Sequence, residues 1–178
     1  MRVFAAIPLP ESALAAVEEW MAPLRRRYRG PKWVSREQLH ITVRFLGDVG
    51  REGADALAEA LEGYRGGAVG FRLDRIGRFR RGRRGPARVL WLGGSFDDGV
   101  EELARLAGAV PDHRGRRERL QSFVPHLTVA RSRGRGGAIP EDLPSPDPVE
   151  GVLRRVEVYN SKLTSSGPEY TVLRSLRL

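Results

Sequence analysis

Alternation of apolar and polar residues predicts that much of this chain forms β-strands. Successive side chains of a strand point to opposite faces, so an apolar residue at every second position marks a sheet with one buried face. The segment from Val3 to Leu9 fits a buried opening strand. Further strands are predicted at Trp33–Val34, Leu39–Leu46, Val69–Ile76, Arg88–Leu92 and around Leu127, with a closing hairpin over Leu153–Leu163 and Tyr170–Leu176.

Three other segments place apolar residues at spacings of three and four, which predicts amphipathic helices. Pro10-Glu11-Ser12 is a start signal for the first of them, and Asp97 or Asp98 can cap the third. The order of strands and helices predicts an α+β fold of mostly antiparallel strands with the helices outside. The predicted helices cover Leu14–Tyr28, Ala54–Leu61 and Val100–Val110.

Two of the predicted strands carry the same tetrapeptide pattern, His40-Ile-Thr-Val43 and His126-Leu-Thr-Val129. Each copy places a histidine and a threonine on one face of its strand, above apolar residues on the other face. The two copies lie 86 residues apart (126 minus 40), close to half of the 178-residue chain. This spacing suggests a duplicated lobe, with one motif strand in each lobe, and we expect residues 1–178 to form a single bilobal domain.

The paired motifs indicate acid–base chemistry. Two imidazoles can transfer protons near neutral pH, and two hydroxyls can bind phosphate oxygens. A single histidine on a half-buried strand is usually structural, but two in identical contexts favour a catalytic pair. A metal site is not expected, because two histidines without cysteine or a nearby acidic residue make a poor ligand set. The third histidine, His113, is expected in a solvated basic loop.

The composition adds a preference for anionic partners. The net charge is +9 and the isoelectric point is about 11.0, which favours RNA. The codon bias of a GC-rich genome would explain the same richness in arginine, so the charge supports a phosphate-binding hypothesis without establishing it. A Gly/Arg loop predicted over residues 77–86 offers candidate RNA contacts, with a solvated loop as the alternative. These candidates are Phe79, Arg80, Arg81, Arg83 and Arg84.

Three further expectations concern membrane insertion, disulfides with location, and oligomeric state. No apolar run approaches the ~20 residues that a membrane-spanning helix requires. The chain has no cysteine, which excludes disulfides and fits a cytoplasmic protein. Nothing in the sequence indicates a subunit interface, so a monomer is the default expectation.

The sequence resembles the 2H phosphoesterase superfamily, and most closely its bacterial and archaeal RNA 2′,3′-cyclic phosphodiesterases, a family formerly known as 2′-5′ RNA ligases. The resemblance runs from residue 2 to about residue 176 and implies two pseudo-symmetric lobes around a central cleft. It rests on five segments, namely residues 2–10, Trp33-Val34 with Leu39–Gly47, Arg88–Gly93, Pro125–Arg131 and the hairpin from Tyr159 to Tyr170.

This resemblance implies metal-independent hydrolysis of an RNA 2′,3′-cyclic phosphate to a 2′-phosphate, without a cofactor. It makes His40 the general acid and His126 the general base. Its phosphate contacts fall on Thr42, Thr128, Arg44 and Arg131 of this chain. Simple alternation puts Arg131 on the face opposite His126, so a bulge or the strand end is needed to bring it to the cleft.

Three alternatives stay open at the level of the sequence. One is ligation or cleavage of a 2′-5′ linkage, and another is hydrolysis of a small cyclic nucleotide. The third is a basic RNA-binding module whose pocket is catalytically silent. Intact histidine and threonine in both motifs count against this third alternative.

Overall fold

The computed structural model describes residues 1–82, 85–133, 137–165 and 167–178, and in these ranges the chain forms nine strands and three α-helices. The helices are α1 (Glu11–Arg27), α2 (Arg51–Glu62) and α3 (Gly99–Gly108), and short 3₁₀ helices cover Arg36–Gln38 and Leu120–Ser122. The strands are β1 (Arg2–Pro8), β2 (Lys32–Trp33), β3 (His40–Asp48), β4 (Val69–Arg80), β5 (Ala87–Phe96), β6 (Leu127–Arg131), β7 (Val149–Leu153), β8 (Arg155–Leu163) and β9 (Pro168–Arg177).

All the described strands belong to one antiparallel sheet in the order β7-β4-β5-β6-β3-β1-β8-β9, with β2 added beside β6. The sheet curls into a half-barrel, and the helices cover its outer face. Without β2, four strands lie on each side of the junction between β6 and β3, which are the two strands that carry the motifs. The predicted α+β class with two pseudo-symmetric lobes is therefore confirmed.

The two lobes do not correspond to the two halves of the chain. The lobe that contains β3 consists of β1, β3, β8 and β9, so the C-terminal hairpin completes a lobe that the N-terminus begins. The segment predicted as one strand over Leu153–Leu163 is split between two strands. Its first residue, Leu153, ends β7, which pairs with β4, and the residues from Arg155 onward form β8, which pairs with β1 and β9.

The apolar core lies between the sheet and the helices. The helices bury the positions that the spacing predicted, such as Val17 and Met21 in α1 and Leu57 and Leu61 in α2. Ile41 and Leu127, the residues that follow the motif histidines, are fully buried in this core. The motif histidines and threonines therefore lie on the opposite, inner face of the curled sheet.

The structure corrects the predicted third helix and the predicted Gly/Arg loop. The third helix ends at Gly108 and not at Val110, and neither Asp97 nor Asp98 caps it with a side-chain hydrogen bond. The Asp97 carboxylate instead accepts a hydrogen bond from the backbone N–H of Gly70 on β4. The predicted Gly/Arg loop also begins later, because β4 continues through Arg80 in a long pairing with β5.

Candidate active site

The two motif strands lie side by side at the centre of the sheet. β3 and β6 pair antiparallel, with Ile41 opposite Leu127. Extending this register by one residue in each direction places His40 across from Thr128, and Thr42 across from His126. The sheet thus brings both histidines and both threonines to the junction of the two lobes, as the duplicated motif predicted.

The two strands also share an irregularity just after the motif. On β3, Arg44 and Thr42 pair with the consecutive residues Ala5 and Ala6 of β1, so Val43 is an extra residue. On β6, Ala130 and Thr128 pair with the consecutive residues Leu90 and Trp91 of β5, so Val129 is extra in the same way. Each β-bulge reverses the alternation of the residues that follow it.

The bulge in β6 brings Arg131 to the cleft. Val129 and Ala130 are both buried, and Arg131 then emerges on the face of His126. Its side chain lines a cavity of about 480 Å³ together with His40 and Thr42. The bulge that the sequence required for Arg131 is therefore present.

The bulge in β3 has the opposite consequence for Arg44. Arg44 is only 5% exposed, and its guanidinium donates hydrogen bonds to Glu118 Oε2 at 2.6 Å and to the carbonyl oxygens of Val110 at 3.0 Å and Arg116 at 2.8 Å. These acceptors belong to the segment that links α3 to the second motif. Arg44 and Glu118 also line the smaller cavity of the cleft, which holds His126, so the phosphate contact of Arg44 stays a prediction. Phe45 occupies the exposed position on the cleft face.

Backbone carbonyl groups orient the two imidazoles. Nδ1 of His126 lies 2.7 Å from the carbonyl oxygen of Val124, two residues earlier. His40 has a backbone hydrogen bond to Gln38, also two residues earlier, and its Nε2 lies 3.1 Å from Thr42 Oγ1. A carbonyl oxygen can only accept a hydrogen bond, so Nδ1 of His126 carries a hydrogen atom. The other ring nitrogen, Nε2, can then exchange a proton with a ligand.

Aromatic rings pack around each imidazole. The His40 ring lies 5.1 Å from that of Phe4 and 5.5 Å from that of Tyr170, measured between centroids. The His126 ring lies 4.8 Å from Phe79 in an edge-on arrangement and 5.8 Å from Trp91. These rings fix the imidazoles by packing and reduce their contact with water. Sequence reasoning missed Phe4 and Tyr170, which come from strands distant from His40 in the chain.

Burial and charge lower the basicity of both histidines. Desolvation, followed by the positive charge of Arg131 and by His126, lowers the pKa of His40 to about 4. Desolvation and then the charge of Arg131 also lower the pKa of His126, against a backbone hydrogen bond to Val124 that raises it. In the ligand-free site both imidazoles are therefore neutral near pH 7, and a bound anion would raise both pKa values.

The pKa shifts predict an acidic optimum for any reaction that needs one protonated and one neutral histidine. The pH profile of kcat/KM reports the free enzyme, so its maximum should lie between the two lowered pKa values and below 6.5, whichever histidine is the acid. The profile of kcat should peak at higher pH, because the bound phosphate favours the charged forms. Steady-state rates measured from about pH 3.5 to about pH 9 test this, and a kcat/KM maximum at or above about pH 7 would contradict it.

The cleft contains two adjoining cavities. The larger one holds His40 and Arg131 and is also lined by Arg2, Ser161 and Tyr170. The smaller one, of about 200 Å³, holds His126 and several apolar side chains, and it is also lined by Arg44 and Glu118. Thr42 and Phe45 line both cavities. Thr128 is half-buried beside His126 on the inner face of the sheet.

The predicted RNA contacts of the Gly/Arg segment are placed unequally. Phe79 reaches the cleft and packs edge-on against His126. Arg80 lies at the end of β4, where its guanidinium donates to the Glu141 carboxylate at 2.7 Å. Arg81 is exposed in the turn that follows. Arg83 and Arg84 lie outside the described residues.

Two negative findings apply to the described part of the chain only. Its residues include no group of three or more histidine, cysteine, aspartate or glutamate side chains placed to hold a metal ion. None of its helices is long and apolar enough to cross a membrane.

Known proteins resemble the chain in both sequence and structure. Residues 7–91 match the model of the LigT-like phosphoesterases. A Thermotoga maritima protein named RNA 2′,3′-cyclic phosphodiesterase is 34% identical, over 97% of this chain and 93% of its own length. A Thermus thermophilus protein of the same name is 33% identical, over 100% of this chain and 90% of its own length.

Solved structures agree with this assignment. The crystal structure of Thermus thermophilus TT0787 matches with a TM-score of 0.81 and 30% identity, over 100% of this chain and 98% of its own. E. coli LigT in its apo form matches with a TM-score of 0.79 and 26% identity, over 99% and 96% of the two chains. The chain belongs to the LigT-like phosphoesterases, a family of 2H phosphoesterases.

Proposed function

We propose that this protein hydrolyses RNA 2′,3′-cyclic phosphate ends to 2′-phosphates by acid–base catalysis with two histidines and without a metal ion. The observation that carries the proposal is the pairing of two equivalent His-x-Thr strands at the centre of the sheet. Full-length relatives with 34% and 33% identity that are named RNA 2′,3′-cyclic phosphodiesterase support the same substrate.

The reaction needs a base and an acid on opposite sides of phosphorus. His126 removes a proton from the attacking water through Nε2, and the new P–O bond forms as the bond to O3′ breaks. His40 gives its proton to the departing O3′, so the phosphate stays on O2′. In-line attack requires the two groups to face the phosphate from opposite sides. Two histidines on separate, adjacent strands can supply such a pair.

The threonines and Arg131 act on the phosphate itself. Thr42 and Thr128 donate hydrogen bonds to the two non-bridging oxygens. Arg131 offers a planar pair of N–H donors whose charge compensates the negative charge that develops there. Binding the anionic phosphate beside Arg131 also offsets the charge that lowers the pKa of His40. The acid can then hold its proton until O3′ departs.

We propose that one chain is the active unit, because both histidines and Arg131 come from the same sheet. The cleft lies at the junction of the two lobes, so residues 1–178 act as a single bilobal domain. An RNA substrate and a chain without cysteine favour a cytoplasmic location.

Chelation should leave the activity intact, since no step in this mechanism uses a metal ion. An RNA oligonucleotide with a 2′,3′-cyclic phosphate end is incubated with the protein in excess EDTA, and loss of the cyclic end is followed by chromatography. The expected rate lies within about twofold of the rate without chelator. A loss that one divalent cation restores would overturn the two-histidine mechanism.

A further inference from the structure

The two motif strands are equivalent over six residues. Residues 40–45 and residues 126–131 follow the same sequence of burial: half-buried, buried, half-buried, buried, buried, exposed. Each strand has its β-bulge at the fourth residue of this stretch. Arg44 on β3 is therefore the equivalent of Ala130 on β6. The segments in front of the two histidines nevertheless differ in how they are held at these two positions.

A strand holds the segment in front of His40. Trp33 of β2 pairs with Ala130 of β6. The N–H of Val34 then donates a hydrogen bond to the carbonyl oxygen of Val129 at 2.9 Å. The chain therefore reaches His40 from a strand that backbone hydrogen bonds attach to the sheet.

A side chain takes this part for the segment in front of His126. Among the described residues, no strand lies in the corresponding place beside β3. A backbone hydrogen bond from the N–H of His113 to the carbonyl oxygen of Leu46, at 2.8 Å, joins the segment to β3. The buried guanidinium of Arg44 donates three more hydrogen bonds to the same segment. Their acceptors are the carbonyl oxygens of Val110 and Arg116 and the carboxylate of Glu118.

The segment is a closed loop, so a single side chain can hold it. The N–H of Glu118 donates a hydrogen bond to the carbonyl oxygen of Gly108 at 3.0 Å, which ties the loop across its base. The N–H of Asp112 donates to the carbonyl oxygen of Arg116 at 2.9 Å, which closes its tip. Arg44 contacts the loop near both ends, at residues 110 and 118. The position of the loop is thereby fixed relative to β3.

The end of this loop forms part of the wall that faces His126. Arg44, Glu118 and Val124 all line the cavity of about 200 Å³ that contains His126. The carbonyl oxygen of Val124 is the acceptor that orients the imidazole through Nδ1. The ion pair of Arg44 with Glu118 and this carbonyl group therefore belong to the same small wall.

We propose that Arg44 and Glu118 are positioning residues for His126, and that their ion pair holds the wall whose Val124 carbonyl points Nε2 of the imidazole at the attacking water. This inference rests on the proposed function for the proton transfer that it serves. Neither side chain exchanges a proton in that step. Loss of positioning lowers kcat with KM nearly unchanged, whereas loss of a phosphate contact of Arg44 raises KM.

The tautomer of His126 reports its positioning without any substrate. Nitrogen NMR of the wild-type protein at neutral pH should show a single His126 tautomer, with the hydrogen atom on Nδ1. Arg44→Lys keeps the positive charge but lacks the planar fork that reaches acceptors in three residues. Its His126 signals should therefore move toward a mixture of both tautomers. The signals of His40, whose segment is held by β2, should stay unchanged in the same spectra.

Steady-state kinetics measure the consequence for catalysis. Arg44→Lys should lower kcat for a nucleoside 2′,3′-cyclic phosphate by roughly ten- to hundredfold, because the base is misplaced, with KM within about twofold. Glu118→Gln keeps an acceptor for Arg44 but loses the charge, so kcat should fall less, by roughly two- to fivefold. Arg72→Lys is the matched control, because it weakens an arginine–carboxylate network on β4 outside both cavities, and it should retain the wild-type kcat and tautomer.

Two results would overturn the positioning role. One is a folded Arg44→Lys variant with the wild-type tautomer of His126 and the wild-type kcat. The other is a raised KM with unchanged kcat, which would assign Arg44 to the phosphate. If Arg44→Lys does not fold, Glu118→Gln takes its place, and a wild-type tautomer and kcat in that variant overturn the role equally. An inactive wild-type protein contradicts the proposed function instead, and the tautomer of His126 still tests the positioning.

Discussion

The variants His40→Ala and His126→Ala should each hydrolyse the cyclic phosphate ~10²–10⁴-fold more slowly than the wild-type protein. Each histidine performs a different proton transfer, so neither can substitute for the other. Both histidines lie on the inner face of the sheet. The residues that follow them, Ile41 and Leu127, are buried in the core and are unchanged in the variants. The loss should therefore appear in kcat, with circular dichroism and thermal unfolding close to those of the wild-type protein.

His113 provides a control of the same residue type. It lies outside both cavities of the cleft and contacts the carbonyl oxygen of Leu46 at 3.0 Å through Nδ1. His113→Ala should retain hydrolysis within a few-fold of the wild-type rate. Near-wild-type turnover by a folded His40→Ala or His126→Ala variant would remove that histidine from the mechanism.

Arg44 and Arg131 should respond to substitution in opposite ways. Arg44→Met leaves the carbonyl groups of Val110 and Arg116 and the Glu118 carboxylate without their donor, so it should lower the free energy of unfolding by about 3 kcal/mol. Arg131→Met removes an exposed charge and should change that free energy by less than about 0.5 kcal/mol. It should instead raise KM roughly tenfold or more, because a charge-assisted hydrogen bond to phosphate is lost. Urea unfolding and steady-state kinetics on both variants measure the contrast.

The opposite pattern would support the phosphate contact that the resemblance implies for Arg44. If Arg44→Met unfolds like the wild-type protein and raises KM, then its guanidinium contacts the phosphate after all. Arg131→Met carries a second signature, because the positive charge of Arg131 lowers the pKa of both histidines. Its removal should move the kcat/KM optimum to higher pH.

The central features of the site follow from the sequence because they depend on short-range patterns. Alternation alone places His40 and Thr42 on one face, and it does the same for His126 and Thr128. Repetition of the motif predicts that two equivalent strands meet. The sheet brings them together as adjacent antiparallel strands.

The departures from strict alternation in the two motif strands have a single geometric cause. A strict period of two puts Arg44 on the face of His40 and excludes Arg131 from the face of His126. The bulges at Val43 and Val129 reverse both assignments, and they place Phe45 in the cleft where Arg44 was expected. A bulge depends on how the partner strand pairs, so alternation within one strand does not reveal it.

The sequence pattern also did not predict contacts between segments that are distant along the chain. Arg80 was a candidate for RNA binding, but the loop around residue 141 supplies a carboxylate that binds it. The Trp91 ring on β5 lies 5.8 Å from that of His126. Its neighbour Gly77 has no side chain, and an added Cβ there would lie 2.0 Å from the Trp91 ring. Pairing of β4 with β5 creates this arrangement.

Phosphorus NMR of a single reaction tests the central claim most directly. The wild-type protein is mixed with a nucleoside 2′,3′-cyclic phosphate in EDTA, and the resonance of the cyclic diester is followed over time. The two-histidine mechanism predicts that this resonance is replaced by that of the 2′-monophosphate alone. Persistence of the cyclic diester, or its conversion to the 3′-monophosphate, would contradict the account.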